Sequence, residues 1–467
     1  MANELGKGLN LRHLMMISIG GTIGTGLFVG ISSPLETAGS LGTSIAYAIA
    51  GIIMLLTMLS LGELSSAMPH SGSFQHYMRI LFKRPYWSFL IGWLYWLSWV
   101  LTISADLTAT SMTLNNLFPS ISTTVYIGLI LLFICSVHLY TINAYGESET
   151  LFASLKIVTI VAFLVACLCI IFGDVNTIAN SSIMDEQSRL PNGMIGILAS
   201  MSTVTYAFQG VEIIGTLTGE AEDKGASMNK IIKMLIVRVF LFYILTTMML
   251  VFVYPPGAKA AISPFVWVFA HVGIANADVI MQLVIVLCGF SASSSALYAS
   301  SRLLWSMSSD NIAPKIFKRT SQVGSPWCSV LFTVLIASIA LISAYIAPKQ
   351  LYLFLIASTG QVGCLAWFCI ALCHYRFRKA KKAGLFPQYP LCYQAPCFPW
   401  LPLAAMVLNA ISIVGLWFSD SGVIILFAEI GLIVLLSICY VFWQRHTTKL
   451  ELISHPSKTN HSHSLAH

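Results

Sequence analysis

Charge is what this 467-residue chain has least of: Asp, Glu, Lys and Arg together make up 9% of it, against roughly 25% in soluble domains. With 57% apolar and aromatic residues and a mean hydropathy of +0.81, it has too little polar surface to coat a water-facing globule. A disulfide framework is lacking too. The 11 cysteines are scattered, and Cys135, Cys167, Cys169, Cys288 and Cys369 fall inside apolar runs, where free cysteine packs as a small hydrophobe. Cys392 and Cys397 share a short loop without histidines at zinc spacing, so no metal site is expected there. Missing as well are a Gly-x-Ser-x-Gly elbow, a His-Glu-x-x-His pair and a Walker loop. Acids inside the apolar runs are scattered one per run, which argues against a membrane-embedded enzyme. No cleavable signal segment is evident either, and the first apolar run is expected to act as an uncleaved anchor.

What is present is a succession of apolar runs of about 20 residues, each long enough to cross a hydrocarbon core of about 30 Å. Hydropathy places twelve of them, near 13–33, 40–68, 86–113, 123–141, 151–173, 194–218, 232–254, 277–306, 327–345, 351–376, 401–419 and 422–443. The fold class expected is all-α integral membrane with twelve transmembrane helices, and the lipid bilayer is its setting. The net charge of +7 is spread over short loops rather than gathered into a patch, so no nucleic-acid partner is expected. Of the 25 Lys and Arg, 20 lie at the termini and in the loops that share their side. Only Arg189, Lys259 and Lys349 lie opposite, and Lys156 and Arg238 sit within runs. By the positive-inside rule both termini are cytoplasmic, in a multi-pass protein of the cell's inner membrane.

Two runs carry signs of internal breaks. The first contains Gly20, Gly21, Thr22, Ile23, Gly24, Thr25 and Gly26, and the sixth contains Phe208, Gln209, Gly210, Val211 and Glu212. Glycine costs a helix roughly 1 kcal/mol relative to alanine, and small residues at i and i+4 also serve close helix packing, which fits Gly20 and Gly24. Position favours unwinding. The two runs open consecutive blocks of five, 13–173 and 194–376, as in a 5+5 inverted repeat with discontinuous helices 1 and 6. Residues 401–443 then form a peripheral hairpin of the single transporter domain, and 444–467 a disordered cytoplasmic tail. Four histidines there (His455, His461, His463, His467) are read as solvated tail rather than metal ligands.

These motifs, with Arg12-His13, Gly62-Glu63-Leu64, Ser71-Gly72-Ser73-Phe74, Gly92-Trp93, Tyr95-Trp96, Ser301-Arg302-Leu303-Leu304, Asp310, Ala313-Pro314-Lys315 and His374 to Arg378, carry a resemblance. In their order and spacing the chain resembles the amino acid transporter (amino acid permease) family of the amino acid–polyamine–organocation superfamily over nearly its whole length. Within that family it looks most like lysine-specific permeases, through Gln209 and the His374–Arg378 ending. One departure is the loop Glu220–Met228, where members usually carry prolines. The resemblance implies a LeuT-like fold with a zwitterionic amino acid seated between the two breaks.

The residues suit that task. Unwinding at Gly20–Gly26 frees backbone N–H groups for a carboxylate, and carbonyls around Phe208 can accept from an α-ammonium. The resemblance makes Phe208 an aromatic gate; its alternative is a packing residue that faces core or lipid. In-span charges cost roughly 2.5–3.5 kcal/mol each, which makes them informative. Glu212 is the first candidate to contact the substrate's amino group or a cationic side chain, its alternative being an anion that pins the frayed helix. Asp106 either lines the same vestibule or caps a neighbouring helix. Glu63 is assigned to packing or gating, and Glu429 lies outside the repeat. Lys156, in mid-span, can gain and lose a proton if desolvation weakens its basicity. The resemblance sets its ammonium where sodium-coupled relatives hold a cation, near the first break and near Ser291, Ser294 and Ser295; its alternative is a permanently charged tie between helices.

Together these point to proton-coupled import of an amino acid by alternating access, of a cationic one such as lysine. No cofactor beyond the coupling protons, no metal and no obligatory protein partner are expected. An amino acid/amine exchanger of the same fold and a membrane amino acid sensor are the rivals. The sensor would call for a cytoplasmic interaction domain, and the loops here are short.

Overall fold

The computed structural model describes residues 23–70, 72–140, 142–172, 189–213, 215, 234–254, 263–322, 324–344 and 346–454. Among them no strand occurs. A chain this apolar satisfies its backbone N–H and C=O groups within helices, because lipid offers them no partners.

The helices are α1 Thr25–Phe28, α2 Ser32–Ala67, α3 Ser73–Phe82, α4 Pro85–Leu117, α5 Thr123–Tyr140, α6 Ile142–Phe172 and α7 Gly193–Phe208. They continue as α8 Met234–Val253, α9 Pro264–His271, α10 Ala277–Ser309, α11 Trp327–Ala337, α12 Pro348–Lys382, α13 Trp400–Gly415 and α14 Gly422–Ser454. Nine of the described helices are long and apolar enough to cross a membrane, and α7 and α11 belong to shorter apolar helices. The first expected run is described only from Ile23 onward.

Outward faces are apolar. Leu129, Leu132 and Phe133 on α5 and Val158, Val161 and Leu168 on α6 are all exposed, an arrangement water would oppose and lipid accepts. The chain is a multi-pass membrane protein. Within it α4 packs on α10 and α12, and α7 packs on α2 and α12. Their contact faces are rich in Ser, Thr and Gly, small residues that let backbones approach. Buried hydroxyls bond back along their own helices, as Thr108 Oγ1 does to Ser104 O at 2.7 Å. The closest approach is at Gly360 on α12, where a Cβ would sit 1.8 Å from the Ser202 carbonyl oxygen of α7. At one end of the bundle the fully buried Glu63 carboxylate accepts from Arg378 Nε and Nη2, lies 3.2 Å from His374 Nε2, and accepts the Ala395 N–H at 2.7 Å. That cluster ties α2 to α12 and the following loop.

Several boundaries differ from the hydropathy reading. α2 is two helices meeting at Gly39 (φ +74°), so its first turns belong to the end of the first run. α6 begins at Ile142 rather than near 151, because the stretch before 151 is too polar in sequence for a hydropathy window to include. In α8 the segment Val239–Ile244 is a π-helix. α14 runs on to Ser454, eleven residues beyond 443, where the tail was expected to begin at 444. The histidines of that tail, and the loop Glu220–Met228, lie outside the described residues.

Candidate functional site

The sixth run breaks where its glycine stands. α7 ends at Phe208, Gln209 turns to extended backbone (φ −62°, ψ 150°), Gly210 adopts φ +98°, and a 3-10 turn follows at Val211–Ile213. A side chain at Gly210 would be strained there. The break leaves α7 carbonyls without helical partners, and they are met in part from outside: Tyr243 OH donates to Ala207 O at 2.9 Å while accepting from Arg238 Nη2 at 3.0 Å. The buried Arg238, which hydropathy left unexplained, thus braces the broken end, next to the π-helical turn of its own helix.

Across from it, Ile23 and Gly24 are non-helical and Thr25 starts a single turn of helix. Asp106 of α4 fastens this point. Its Oδ1 accepts from Thr25 N at 3.1 Å, Thr25 Oγ1 at 2.6 Å and Tyr206 OH at 3.2 Å, and Tyr352 OH donates to Thr25 O at 3.2 Å. All three donors converge on one oxygen, so Oδ2 has no donor among the described residues. Asp106 thus bonds the first turn at Thr25 and lines the cavity beside it.

That cavity, about 30 Å³, is bounded by Gly24, Gly26, Trp99, Asp106, Gln209 and Gly210, with Thr102, Tyr206, Ala207, Ile213 and Ala292 completing its wall. It is about one water in size, so an amino acid enters only if the walls part. Among the described residues Asp106 is its single charged lining residue. Gln209 donates through Nε2 to Ser98 Oγ, and its buried Oε1 has no partner among the described residues. Among the described residues the wall thus brings together one carboxylate, one amide oxygen and an indole side chain.

The other sequence candidates distribute as follows. Gly24, Gly26, Asp106, Gln209 and Gly210 meet at the cavity, with Ile23 and Thr25 beside it. Gly20, Gly21 and Thr22 lie outside the described residues. Phe208 is fully buried and faces away, its ring stacked on Tyr243 at 4.2 Å and 5.9 Å from Tyr47. Glu212 lies next to the break with both oxygens engaged, by Tyr95 OH at 2.6 Å and Gly210 N at 3.1 Å, the geometry of an anion pinning the turn. Lys156 Nζ donates to Ser291 Oγ at 2.9 Å. Ser294 pairs instead with His138 Nε2 at 2.9 Å.

Hydropathy missed Trp99, Thr102 and Glu149. The first two sit seven and four residues before Asp106, hence on the same face of α4, and that spacing was the available signal. Glu149 stands seven residues before Lys156 on α6, fully buried, and accepts from Ser291 Oγ at 2.7 Å. Among the described residues one group, His70, His76 and Asp310, brings potential metal ligands within 4.8 Å of one another. Its atoms are already engaged: the two rings stack at 3.5 Å, His76 Nδ1 donates to Asp310 Oδ2 at 3.3 Å, and Arg79 Nη1 lies 3.2 Å from Asp310 Oδ1. Burial would raise the Asp310 carboxyl, but hydrogen bonds from His76 and Gln75 outweigh it and hold the group below its ordinary range.

Comparison with known proteins matches residues 13–452 to the family model described as "Amino acid permease". A "Putative histidine permease" of Bacillus subtilis (strain 168) is 35% identical over 464 residues, 97% of this chain and 96% of the relative. "Amino-acid permease RocE" of the same organism is 33% identical over 449 residues, covering 94% and 95%. "Lysine-specific permease LysP" of Lactococcus lactis subsp. cremoris (strain MG1363) is 32% identical over 470 residues, covering 96% and 91%.

Proposed function

The chain belongs to the amino acid permease family, and on that premise we propose that it imports a cationic amino acid such as lysine together with a proton, by alternating access. The proposed frame is twelve spans in a LeuT-like inverted repeat, 13–173 and 194–376, with 401–443 peripheral and both termini cytoplasmic. The break at Gln209–Gly210 and the non-helical Ile23–Gly24 support that frame.

One observation carries the substrate class: among the described residues the cavity at the breaks holds the carboxylate of Asp106 and no cationic side chain. With Oδ1 saturated by Thr25 and Tyr206, Oδ2 is left for an ammonium of the substrate. Gln209 Oε1 adds a second acceptor and Trp99 an aromatic face, which attracts a cation by roughly 0.5–2 kcal/mol. Relatives named for histidine and for lysine suit a basic side chain. The earlier expectation of a free N–H seat for the substrate carboxylate meets a complication, because Asp106 itself takes the Thr25 N–H. Here the protein's own carboxylate occupies that donor, and the loaded state requires Thr25 and Asp106 to part or the substrate carboxylate to use neighbouring backbone.

Lys156 supplies the coupling. Protonated, it stabilises the outward-facing, substrate-ready state; losing its proton toward the cytoplasm favours release. A membrane potential draws a cation inward unaided, about 2.3 kcal/mol or roughly 50-fold per 100 mV, so the proton's contribution is read only with the potential clamped. The substrate class is tested by labelled lysine uptake into proteoliposomes at two external pH values, against a panel of competing amino acids. Inhibition by basic amino acids is expected. Inhibition by neutral but not basic ones would remove the cationic assignment.

A further inference from the structure

We infer that Glu149 is the proton acceptor for Lys156, reached through the Ser291 hydroxyl, on the path by which the coupling proton leaves the centre of the protein. The inference rests on the proton-coupled reading above and extends it to a residue that reading does not use.

Glu149 and Lys156 are both 1% exposed and lie on one face of α6, two turns or about 10 Å of helix rise apart. Ser291 of α10 stands between them. Its Oγ accepts from Lys156 Nζ at 2.9 Å and donates to Glu149 Oε1 at 2.7 Å. A hydroxyl is both donor and acceptor, so the three groups form an unbroken hydrogen-bonded line from a cation to an anion. The transfer balances in two concerted hops. An N–H bond of Lys156 breaks as a new O–H bond forms on Ser291 Oγ; the original Oγ–H bond breaks as Glu149 Oε1 gains its proton. Ammonium and carboxylate become amine and carboxylic acid, the serine ends as it began, and the net charge of the line is unchanged. Burial assists, because a neutral pair carries a smaller desolvation cost than two separated ions.

The surroundings are consistent with one direction of travel. Ser295, one turn farther along α10, also hydrogen-bonds the Glu149 carboxylate. On α4, Asp106 lies within electrostatic reach of the Lys156 ammonium, as Cys288 does on α10. His138 of α5 faces Ser294, with Arg302 over the Tyr298 ring one turn beyond Ser294. The charged group of α8, Arg238, faces Tyr243, and His271 of α9 stacks on Trp267. On the Lys and Arg asymmetry α6 starts at the cytoplasmic side, which sets Glu149 nearer the cytoplasm than Lys156. Glu149 is occluded here and discharges when that side opens.

The test uses the full chain in proteoliposomes with the potential clamped. Net labelled-lysine uptake driven by a pH gradient is compared with lysine–lysine exchange without a gradient. Without its acceptor Lys156 keeps its proton, so in Glu149→Gln the ratio of gradient-driven uptake to exchange should fall by about tenfold, the worth of one pH unit. The dependence of uptake on external pH should flatten, and Glu149→Asp should recover part of both. A Glu149→Gln ratio and pH profile equal to wild type would overturn the inference. If Glu149→Gln shows no cooperative thermal unfolding and so fails to fold, Ser291→Ala decides by the same two readouts. Lys156→Ala separates the levels: if it keeps wild-type gradient-driven uptake, the coupling reading and this inference fall together, and if it alone loses that uptake, only the inference falls.

Discussion

Replacing Asp106 by asparagine changes almost nothing in shape and one thing in chemistry. The three donors to Oδ1, from Thr25 N, Thr25 Oγ1 and Tyr206 OH, can all be met by the amide oxygen of Asn. The other oxygen becomes an NH2, so where an ammonium was to be accepted a donor now stands, without charge. The gross attraction between unit charges about 4 Å apart at an effective dielectric of 20 is about 4 kcal/mol. Desolvating the ammonium offsets part of it, and hydrogen bonds to charged groups have a net worth of about 1.5–3 kcal/mol. Lysine should therefore bind Asp106→Asn about 10- to 150-fold more weakly. The assay is equilibrium binding of labelled lysine to purified protein, with thermal unfolding as the folding control. A well-folded Asp106→Asn that binds lysine within about twofold of wild type would refute the placement of the ammonium.

Other outcomes follow from contacts away from the cavity. Arg378→Ala strips the fully buried Glu63 carboxylate of its two guanidinium bonds; breaking such a pair costs about 3–5 kcal/mol, so thermal unfolding in detergent should drop by several degrees, and an unchanged midpoint would count against the pin. Gly360→Ala would push a methyl into the Ser202 carbonyl at 1.8 Å, and wild-type yield of monodisperse protein would show that α7 and α12 do not approach as described. His70 is pushed down to about 4, by burial first and then by the stacked His76. Since the unfolded chain binds a proton near pH 6.5 that the folded one refuses, stability should be unaffected above that pH. It should fall between about 6.5 and 4 by at most about 3 kcal/mol, and His70→Gln should flatten the slope of unfolding midpoint against pH.

What was legible in the sequence was what a bilayer penalises. Lys156 and Asp106 stood out because an ion in an apolar run needs a reason, and Gly210 because a glycine between Gln209 and Glu212 has no packing role that demands it. Hydropathy found the runs for the same reason. It trimmed α6 because the first turns of that helix are polar in sequence, and Glu149 was lost with them. The facing of side chains at a break was not legible, since periodicity ends where the helix does: Phe208 stacks on Tyr243 instead of the cavity, and Glu212 folds back on Gly210 N. Nor does any local pattern announce the π-helix after Arg238, within which Tyr243 reaches the loosened end of α7.

Proton coupling through Lys156 is the claim on which the transport account turns. The direct measurement is lysine-dependent proton movement into vesicles holding the purified chain, followed with an internal pH dye at zero membrane potential. Wild type should acidify the lumen only when lysine is added outside, and Lys156→Ala should not. Lysine entry without acidification in wild type, or equal acidification in both, would contradict it.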